Sequence, residues 1–476
     1  MTQYSIPPNE VRFVSSASPL HRVRLFEWQN RLYRAIHNDS APLFDQLFND
    51  GVIERLMAKR LIVHTEATNL SLSDYARVIG HERLPFVTYP YEWSAAALKE
   101  AALAFIDLNL ELAGHGLATS DSHPWNTVFD GARPVFVDLG SIARLTQIDA
   151  VNMLAEFERW FYHPLCLMAQ GQHRLARTFL YDPINCVNDS ELRRLGLATD
   201  RKWSKLAGKY VSAAVNRWRR VTGMQRSPGV NETPNPRQWR KMLENTRARV
   251  EAVALQDVSS AWSGYYDDEF PPLDQSQQWH GKHHALANLL KRLSPTTVHD
   301  VAGNRGWYSM LAEHLGSKVV CSDIDDPCLN ALYRQARVHD LAITPVHLNL
   351  RNPSPNLGWS GREFPGAEAR LQCDCVLALA LMHHLVFRAM ADFDTVLDGL
   401  VTLTRQDLVL EFVSPEDQFV SQWWTPRYDW YRLDELVNVA QRRFASVQVV
   451  PSHPHGRYLL LCERVNQQGA QPRIAA

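Results

Sequence analysis

The chain has 476 residues with a formal net charge of −1 at pH 7, and 45% of its residues are hydrophobic. This length exceeds one ordinary core and predicts two or three domains. The balanced charge gives no reason to expect a nucleic-acid partner, and no apolar run reaches the roughly 18 residues that a membrane span needs. Seven scattered cysteines and an N-terminus without the pattern of a secretory signal predict a cytoplasmic protein with reduced thiols.

In chain order, residues 10 to about 90 combine short β-type runs with a helical pattern from Pro42 to Met57. A further strand is predicted from Leu84 to Tyr91. It is followed by a long helix with one apolar face from Ala95 to about His115. Two short strands flank Asp130-Gly131, which predicts a hairpin. Mostly helical sequence then continues to about Thr222.

A phosphotransferase-like motif lies around this hairpin. Asp121 and Asn126 are separated by four residues, and Asp138 follows on a strand as part of Asp-x-Gly. Phosphotransferases use one carboxylate to orient the acceptor hydroxyl, and an Asn and an Asp to hold Mg²⁺ on the phosphates of ATP. The motif resembles those of aminoglycoside and choline-type kinases. The resemblance implies an α+β kinase-like domain over residues 1–224, with a small lobe over about 10–90 and a large lobe over about 91–224.

The same region departs from an active kinase in three respects. Arg34 stands where a phosphate-pairing Lys is expected, and Arg does not replace Lys freely at such sites. Residues 13–19 contain no glycine, so no phosphate-cradling loop is predicted, and neither His nor Arg precedes Asp121. Two alternatives stay open: a phosphotransferase that uses ATP and Mg²⁺, and a kinase-like fold that binds a nucleotide or only supports its neighbour.

Residues 225–237 contain three prolines and predict a linker to a second domain over 238–466, with a disordered tail over 467–476. A helix is predicted from Trp239 to Leu255. Beyond it lies an aromatic patch of Trp262, Tyr265 and Tyr266. Three residues are predicted either to form a lid over a cofactor or to cover a domain seam: Tyr265, Tyr266 and Lys282.

From residue 296 onward, β-type and helical runs alternate. A strand over 296–301 leads through a small-residue turn (302–306) into a helix that begins at Trp307, and a second strand ends at Asp323. Small residues let a ligand approach the backbone, the helix start offers free N–H groups, and the second acid can accept ribose hydroxyls. The turn is not GxGxxG and favours S-adenosylmethionine (SAM) over NAD. Asp325 is predicted to cap the next helix.

Later strand ends carry further polar groups. Asn349 ends a third strand and can bond an adenine edge. A buried run over 374–384 is predicted to bring His383 and His384 to the carboxyl edge of the sheet, and another run brings Glu411. Ligands of open α/β sheets bind at that edge. The pair Cys373 and Cys375 is predicted to lie on a buried strand, and no metal site is predicted in this domain.

Three segments of this domain resemble a bacterial family that is related to a rhizobial nodulation protein. They are NLRNPSPNLGW, LALALMHHL and LVLEFVSPEDQFV. The domain as a whole resembles class I SAM-dependent methyltransferases. This implies a Rossmann-like α/β sheet of seven strands with the last antiparallel, and SAM as the cofactor. Four residues would hold the methionine part of SAM: Asp300, Gly303, Asn304 and Gly306. Asp323 would bind the ribose, and Leu379 would contact the cofactor. Ala302 stands where the family has its first glycine, which requires a negative φ at this position.

The sequence therefore predicts methyl transfer from SAM to an O or N nucleophile of a small-molecule or glycan-type acceptor. A base that removes the acceptor's proton would be His383 or His384, with Glu411 and the pair Glu416 and Asp417 as alternatives. The two histidines could instead be a satisfied pair at the start of a helix, and the acids could bind a cationic substrate. Three other functions stay open. They are a bifunctional kinase-methyltransferase, a SAM-dependent cyclisation or aminocarboxypropyl transfer, and a non-catalytic regulator that binds SAM or a nucleotide.

Overall fold

The structure is a computed structural model that describes residues 4–14, 22–182, 184–196, 235–256, 259–264 and 270–465. Its N-terminal part is built on an antiparallel sheet in the order β2-β3-β4-β7-β5, with β1 and β6 as a separate parallel pair. These strands are β1 Tyr4–Ser5, β2 Arg12–Phe13, β3 Val23–Trp28, β4 Arg31–Ile36, β5 Thr65–Ala67, β6 Leu70–Ser71 and β7 Arg77–His81.

Two predicted elements of this region differ in the structure. The helix predicted from Pro42 to Met57 is two helices, α1 Ala41–Asn49 and α2 Val52–Ala58, because Gly51 between them has a φ of 65° and interrupts the helical backbone. The strand predicted from Leu84 to Tyr91 does not form. Residues 84–89 are irregular chain, and Pro90–Glu92 form a short 3₁₀ turn. Pro85 and Pro90 lack the N–H that a sheet ladder requires.

The larger N-terminal lobe is mainly helical. The long helix α3 spans Ala95–Ala113, and Ser94 caps it by accepting a hydrogen bond from the N–H of Ala97. The predicted hairpin around Asp130-Gly131 is confirmed as β9 and β10. The elements after α3 are β8 Leu117–Thr119, β9 Thr127–Asp130, β10 Arg133–Phe136, β11 Ile142–Arg144, α4 Ala150–Phe157, α5 His163–Ala169, α6 His173–Leu180 and α7 Asp189–Arg194.

The C-terminal half contains one sheet in the order β14-β13-β12-β15-β16-β18-β17. The pairs from β14 to β16 are parallel, whereas β18 pairs antiparallel with both β16 and β17. The implied sheet of seven strands with an antiparallel last strand is thus confirmed within the described part of the chain. The strands are β12 Thr297–Val301, β13 Lys318–Asp323, β14 Ile343–His347, β15 Cys373–Ala378, β16 Thr404–Val413, β17 Phe444–Pro451 and β18 Arg457–Val465.

Helices cover both faces of this sheet, so its central strands are buried as in other parallel sheets. Cys373 and Cys375 are fully buried on β15, which confirms their prediction. The helices are α8 Pro236–Glu251, α9 Gly281–Leu293, α10 Trp307–His314, α11 Asp326–His339, α12 Ala367–Arg370, α13 Met382–Phe387, α14 Phe393–Leu403 and α15 Leu433–Gln441. Within the described ranges, no helix combines the length and apolar character that a bilayer crossing requires.

The two halves share an extensive interface. Arg370 of α12 forms an ion pair with Glu92, in which Nη2 of the arginine lies 2.6 Å from Oε1 of the glutamate. Both side chains are at least 95% buried. Phe364 packs on Trp125 with ring centroids 4.5 Å apart. An added Cβ on Gly131 would lie 2.7 Å from the carbonyl oxygen of Leu341. The hairpin turn therefore approaches the second sheet as closely as its backbone permits.

The predicted domain bounds stay a prediction. The linker over 225–237 lies outside the described residues except for its last three, which begin α8. Helix α8 lies past the predicted boundary, yet it packs on α3 of the first half. Arg247 forms an ion pair with Asp107 at 2.7 Å, and Lys99 donates to the carbonyl oxygen of Val253 at 2.7 Å.

Candidate active site

The turn after β12 is built around a buried acid. Asp300 is 2% exposed, and its Oδ2 accepts a hydrogen bond of 2.7 Å from the hydroxyl of Ser309 on α10. Burial raises the pKa of Asp300 to about 7, and the nearby charge of Asp323 adds to the rise. This carboxyl is therefore poised to ionise when a cationic group, such as the amino group of a methionine moiety, comes beside it.

The backbone of this turn is left-handed at three positions. The φ angles are 57° at Ala302, 55° at Asn304 and 76° at Gly306. Ala302 therefore does not have the negative φ that the sequence analysis required for an alanine here, and its Cβ is strained against the backbone. A Cβ on Gly303 would lie 2.5 Å from Sγ of Cys321, so only glycine fits at that position.

Asp323 stands at the end of the neighbouring strand. Its Oδ2 accepts from the N–H of Asn304 at 2.8 Å, and its Oδ1 accepts from the N–H groups of Ile324 and Asp325 at 2.7 and 2.9 Å. A carboxylate has about four acceptor positions, so three backbone bonds leave one for a hydroxyl. Burial raises the pKa of Asp323, and the three N–H groups oppose the rise. The predicted cap is confirmed, because Asp325 accepts from the N–H of Cys328.

Other predicted cofactor contacts lie along the same edge. Asn349 is exposed just after β14, where the N–H of Leu348 donates to the carbonyl oxygen of Asp323 at 3.0 Å. Leu379 is 7% exposed and follows β15 directly. Trp262 contacts the turn through its carbonyl oxygen, which accepts from Nδ2 of Asn304 at 3.1 Å. Tyr265 and Tyr266 lie outside the described residues.

Glu411 and Lys282 form a buried ion pair at the carboxyl edge of β16. The distance from Nζ of Lys282 to Oε2 of Glu411 is 2.6 Å, and their side chains are 5% and 0% exposed. Lys282 is therefore neither a lid residue nor part of a domain seam, because it points into the sheet edge. Glu411 is also not free to act as a base, since its two oxygens accept hydrogen bonds from Lys282, Ala380 and Ser452.

His383 and His384 begin α13 rather than ending a strand, because β15 stops at Ala378. His383 is 4% exposed, and its Nδ1 has no hydrogen-bond partner among the described residues. Burial lowers the pKa of His383 to about 3, and the charge of His384 adds to this effect. His384 packs between the rings of Trp262 and Trp423 at 5.3 and 5.4 Å. At neutral pH, His383 is therefore an uncharged imidazole.

The alternative base Asp417 is not free either, because it forms an ion pair with Arg457 at 2.9 Å. That pair lies beside β18, at the same edge of the sheet. The sequence analysis missed the partners Lys282, Ser309 and Arg457. Of these, Ser309 had a sequence signal: it lies on the first turn of the helix that follows the small-residue turn.

The structure places the four kinase-like residues in two contacting pairs, Asp121 with Asn126 and Arg34 with Asp138. Asp121 accepts from Nδ2 of Asn126 at 3.1 Å and from the N–H of His123 at 2.8 Å. Arg34 donates to the carbonyl oxygen of Val137 at 2.6 Å. Its guanidinium, with 10% of the side chain exposed, lies 3.6 Å from Oδ1 of Asp138. Arg34 is therefore engaged by Asp138, which is the side chain that would hold Mg²⁺ in a kinase.

The chain was compared with protein families, with curated proteins and with solved structures. No family model matches the chain. It is 28% identical to the nodulation protein NoeA of Rhizobium meliloti (strain 1021) over 422 residues, which cover 85% of this chain and 86% of NoeA. This confirms the resemblance to a rhizobial nodulation protein.

Two solved structures are similar at low identity. The bifunctional kinase-methyltransferase WbdD is 17% identical with a TM-score of 0.30, and the match covers 42% of this chain and 42% of WbdD. Magnesium protoporphyrin IX methyltransferase (ChlM) from Synechocystis PCC 6803, with bound SAM, is 15% identical with a TM-score of 0.28. That match covers 56% of this chain and 98% of ChlM.

The methyltransferase assignment rests on the C-terminal sheet. Numbered from β12, its order is 3-2-1-4-5-7-6 with strand 7 antiparallel, as in class I SAM-dependent methyltransferases. The glycine-containing turn follows the first of these strands, and an acid ends the second. The seven-stranded sheet predicted for the C-terminal domain is therefore confirmed, and the similarity to NoeA extends over both halves of the chain.

Proposed function

We propose that this protein transfers the methyl group of SAM to an O or N nucleophile of a small-molecule or glycan-type acceptor. The observation that carries the proposal is the small-residue turn over 302–306, called the cofactor turn below. The N–H of Asn304 in this turn donates to the carboxylate of Asp323, and Asp300, just before the turn, is buried. Asp300 would face the amino group of the methionine part. Asp323 would accept a ribose hydroxyl, and Asn349 and Leu379 would contact the adenine side.

His383 is the base that the geometry favours. Its imidazole is neutral, almost fully buried, and has an Nδ1 atom without a partner among the described residues. In the proposed reaction, the acceptor's oxygen or nitrogen attacks the methyl carbon while the bond from that carbon to the sulfonium breaks. The acceptor's proton passes to Nδ1 of His383. Most of the acceleration would come from alignment of the two reactants in a site that excludes water.

The experiment uses SAM that carries ¹⁴C in the methyl group and ³H in the aminocarboxypropyl arm, with a panel of hydroxyl- and amine-bearing small molecules and oligosaccharides. The proposal expects ¹⁴C without ³H in the product, and a large loss of kcat in His383→Gln. Product that carries ³H would instead establish aminocarboxypropyl transfer. Binding of S-adenosylhomocysteine (SAH) without labelled product from any of these acceptors would favour a regulator.

A bifunctional kinase-methyltransferase is the second candidate, because Asn126 is hydrogen-bonded to Asp121, and its carbonyl oxygen accepts at 2.9 Å from the N–H of Val137, the neighbour of Asp138. The ion pair of Asp138 with Arg34 opposes it, since a buried guanidinium lies where a metal would have to bind the same carboxylate. We therefore propose that the N-terminal domain is an accessory domain that does not transfer phosphate.

A further inference from the structure

The chain between β15 and α13 makes a strained turn. Ala380 has a φ of 49°, a left-handed conformation that is unfavourable for an alanine. The turn separates Leu379, a proposed cofactor contact, from His383, the proposed base. Its geometry therefore fixes both groups, and something outside the turn must hold it.

Glu411 supplies that restraint. Its Oε2 accepts a hydrogen bond of 2.9 Å from the N–H of Ala380 and another of 2.6 Å from Nζ of Lys282. Its Oε1 accepts from the hydroxyl of Ser452 at 3.2 Å, and the residue is 0% exposed. A fully buried carboxylate with three donors has one stable position, so it sets the position of the N–H that it binds.

Lys282 connects this carboxylate to the rest of the site. Its Nζ lies 5.1 Å from the ring centroid of Tyr308, which follows the cofactor turn on α10. Burial raises the pKa of Asp300 and lowers the pKa of His383; the positive charge of Lys282 opposes the first shift and adds to the second. The ammonium group therefore lies within electrostatic reach of the cofactor acid and of the proposed base.

We propose that Glu411 and Lys282 are positioning residues, which hold the left-handed turn at Ala380 so that Leu379 meets the cofactor and His383 meets the acceptor. The inference rests on the proposed methyltransferase function of the same site. It differs from the sequence prediction, in which Glu411 was a base. Neither residue exchanges a proton or touches the transferred methyl group.

Two double variants separate positioning from stability. In Lys282→Met/Glu411→Gln, both charges are removed but the amide oxygen can still accept from the N–H of Ala380. In Lys282→Met/Glu411→Leu, both charges are removed and that acceptor is lost. Both variants avoid an unpaired buried charge, so both are expected to fold. SAH binding is measured by calorimetry, and the thermal midpoint of each variant is measured beside it.

We expect the Gln variant to bind SAH more weakly than the wild type, because Lys282 is lost, and the Leu variant to bind at least tenfold more weakly than the Gln variant at a similar thermal midpoint. Equal affinities of the two variants would overturn the inference. Failure of the wild-type protein to bind SAH would instead contradict the proposed function, so the two failures are distinguishable.

A measurement on the wild-type protein keeps the inference testable if either variant does not fold. Hydrogen exchange followed by mass spectrometry reports on peptides that include Ala380. Because its N–H is bonded to a carboxylate with no exposed surface, we expect that amide to exchange at least 100-fold more slowly than an unprotected amide, before any cofactor is added. Exchange at the unprotected rate would overturn the inference.

Discussion

Arg34 and Asp138 form an ion pair in the kinase-like half, with Nη1 of the guanidinium 3.6 Å from Oδ1 of the carboxylate. Arg34 also donates to the carbonyl oxygen of Val137, so its head group is held from two sides. Burial lowers the pKa of Arg34, and the charge of Asp138 opposes that change. Because arginine keeps its proton in proteins, the guanidinium offsets part of the negative charge that Asp138 would present to Mg²⁺.

The first prediction concerns ATP. Because the charged guanidinium of Arg34 already pairs with Asp138, we expect no heat of binding when ATP and Mg²⁺ at millimolar concentration are titrated into the wild-type chain. Arg34→Lys is titrated in the same way beside the wild type, because this variant carries the lysine that kinases use at this position. Binding by the wild-type protein that requires Mg²⁺ and is abolished in Asp138→Asn would contradict the accessory role and establish the bifunctional alternative.

The second prediction concerns the interface between the two halves. In Arg370→Met, the buried carboxylate of Glu92 loses the cation that pairs with it. Breaking a buried ion pair from one side costs about 3–5 kcal/mol, so we expect a fall of that size in the free energy of unfolding measured in urea. Arg405→Met is the control, because Arg405 is half-exposed and lies 3.7 Å from Asp374. An effect of Arg370→Met as small as that of the control would contradict the prediction.

The third prediction concerns Ala302, whose φ is 57°. Glycine relieves the left-handed strain of about 1–2 kcal/mol, and this gain is partly offset by the greater freedom of glycine in the unfolded chain. We expect Ala302→Gly to raise the thermal midpoint by a few degrees. Ala312→Gly, at a fully buried position in α10, should lower it. Destabilisation by both substitutions would show that the turn is not strained at Ala302.

The fourth prediction concerns pH. The pKa of Asp300 is about 7 in the folded protein, whereas its ordinary value, taken for the unfolded chain, is 3.8. Between these values the folded state binds more protons than the unfolded state, so this residue lowers stability as pH rises through the window. SAH affinity should change in the opposite sense and increase from pH 6 to pH 8, because ionised Asp300 attracts the cofactor's amino group. In Asp300→Asn, we expect weaker SAH binding with a flat pH profile. A wild-type affinity that is independent of pH would contradict this assignment.

Local patterns predicted much of the C-terminal site. The strand, turn and helix around Asp300, and the acid at the end of the next strand, are set by neighbouring residues, so the sequence could place them. The hairpin at Asp130-Gly131 and the long helix α3 were predictable for the same reason. The prediction of a strand from Leu84 to Tyr91 was wrong. The segment has β-type residues, but its two prolines have no N–H to donate to a sheet ladder.

Contacts between distant segments could not be predicted. Lys282 and Glu411 are 129 residues apart, and Arg370 and Glu92 are 278 residues apart. Hydrophobic periodicity shows which face of an element is buried, but it does not show which element lies opposite. Glu411 therefore looked like a free base from the sequence, whereas its partners make it a structural carboxylate in the site.

The most direct test of the SAM site is a calorimetric titration of SAH into the wild-type chain and into Asp323→Ala, with Asp434→Ala as a surface control. The account predicts binding by the wild-type and control proteins, and a loss of at least tenfold in Asp323→Ala, which is about 1.4 kcal/mol. Unchanged affinity in Asp323→Ala would contradict the ribose assignment. Absence of SAH binding by the wild-type chain would contradict the methyltransferase account as a whole.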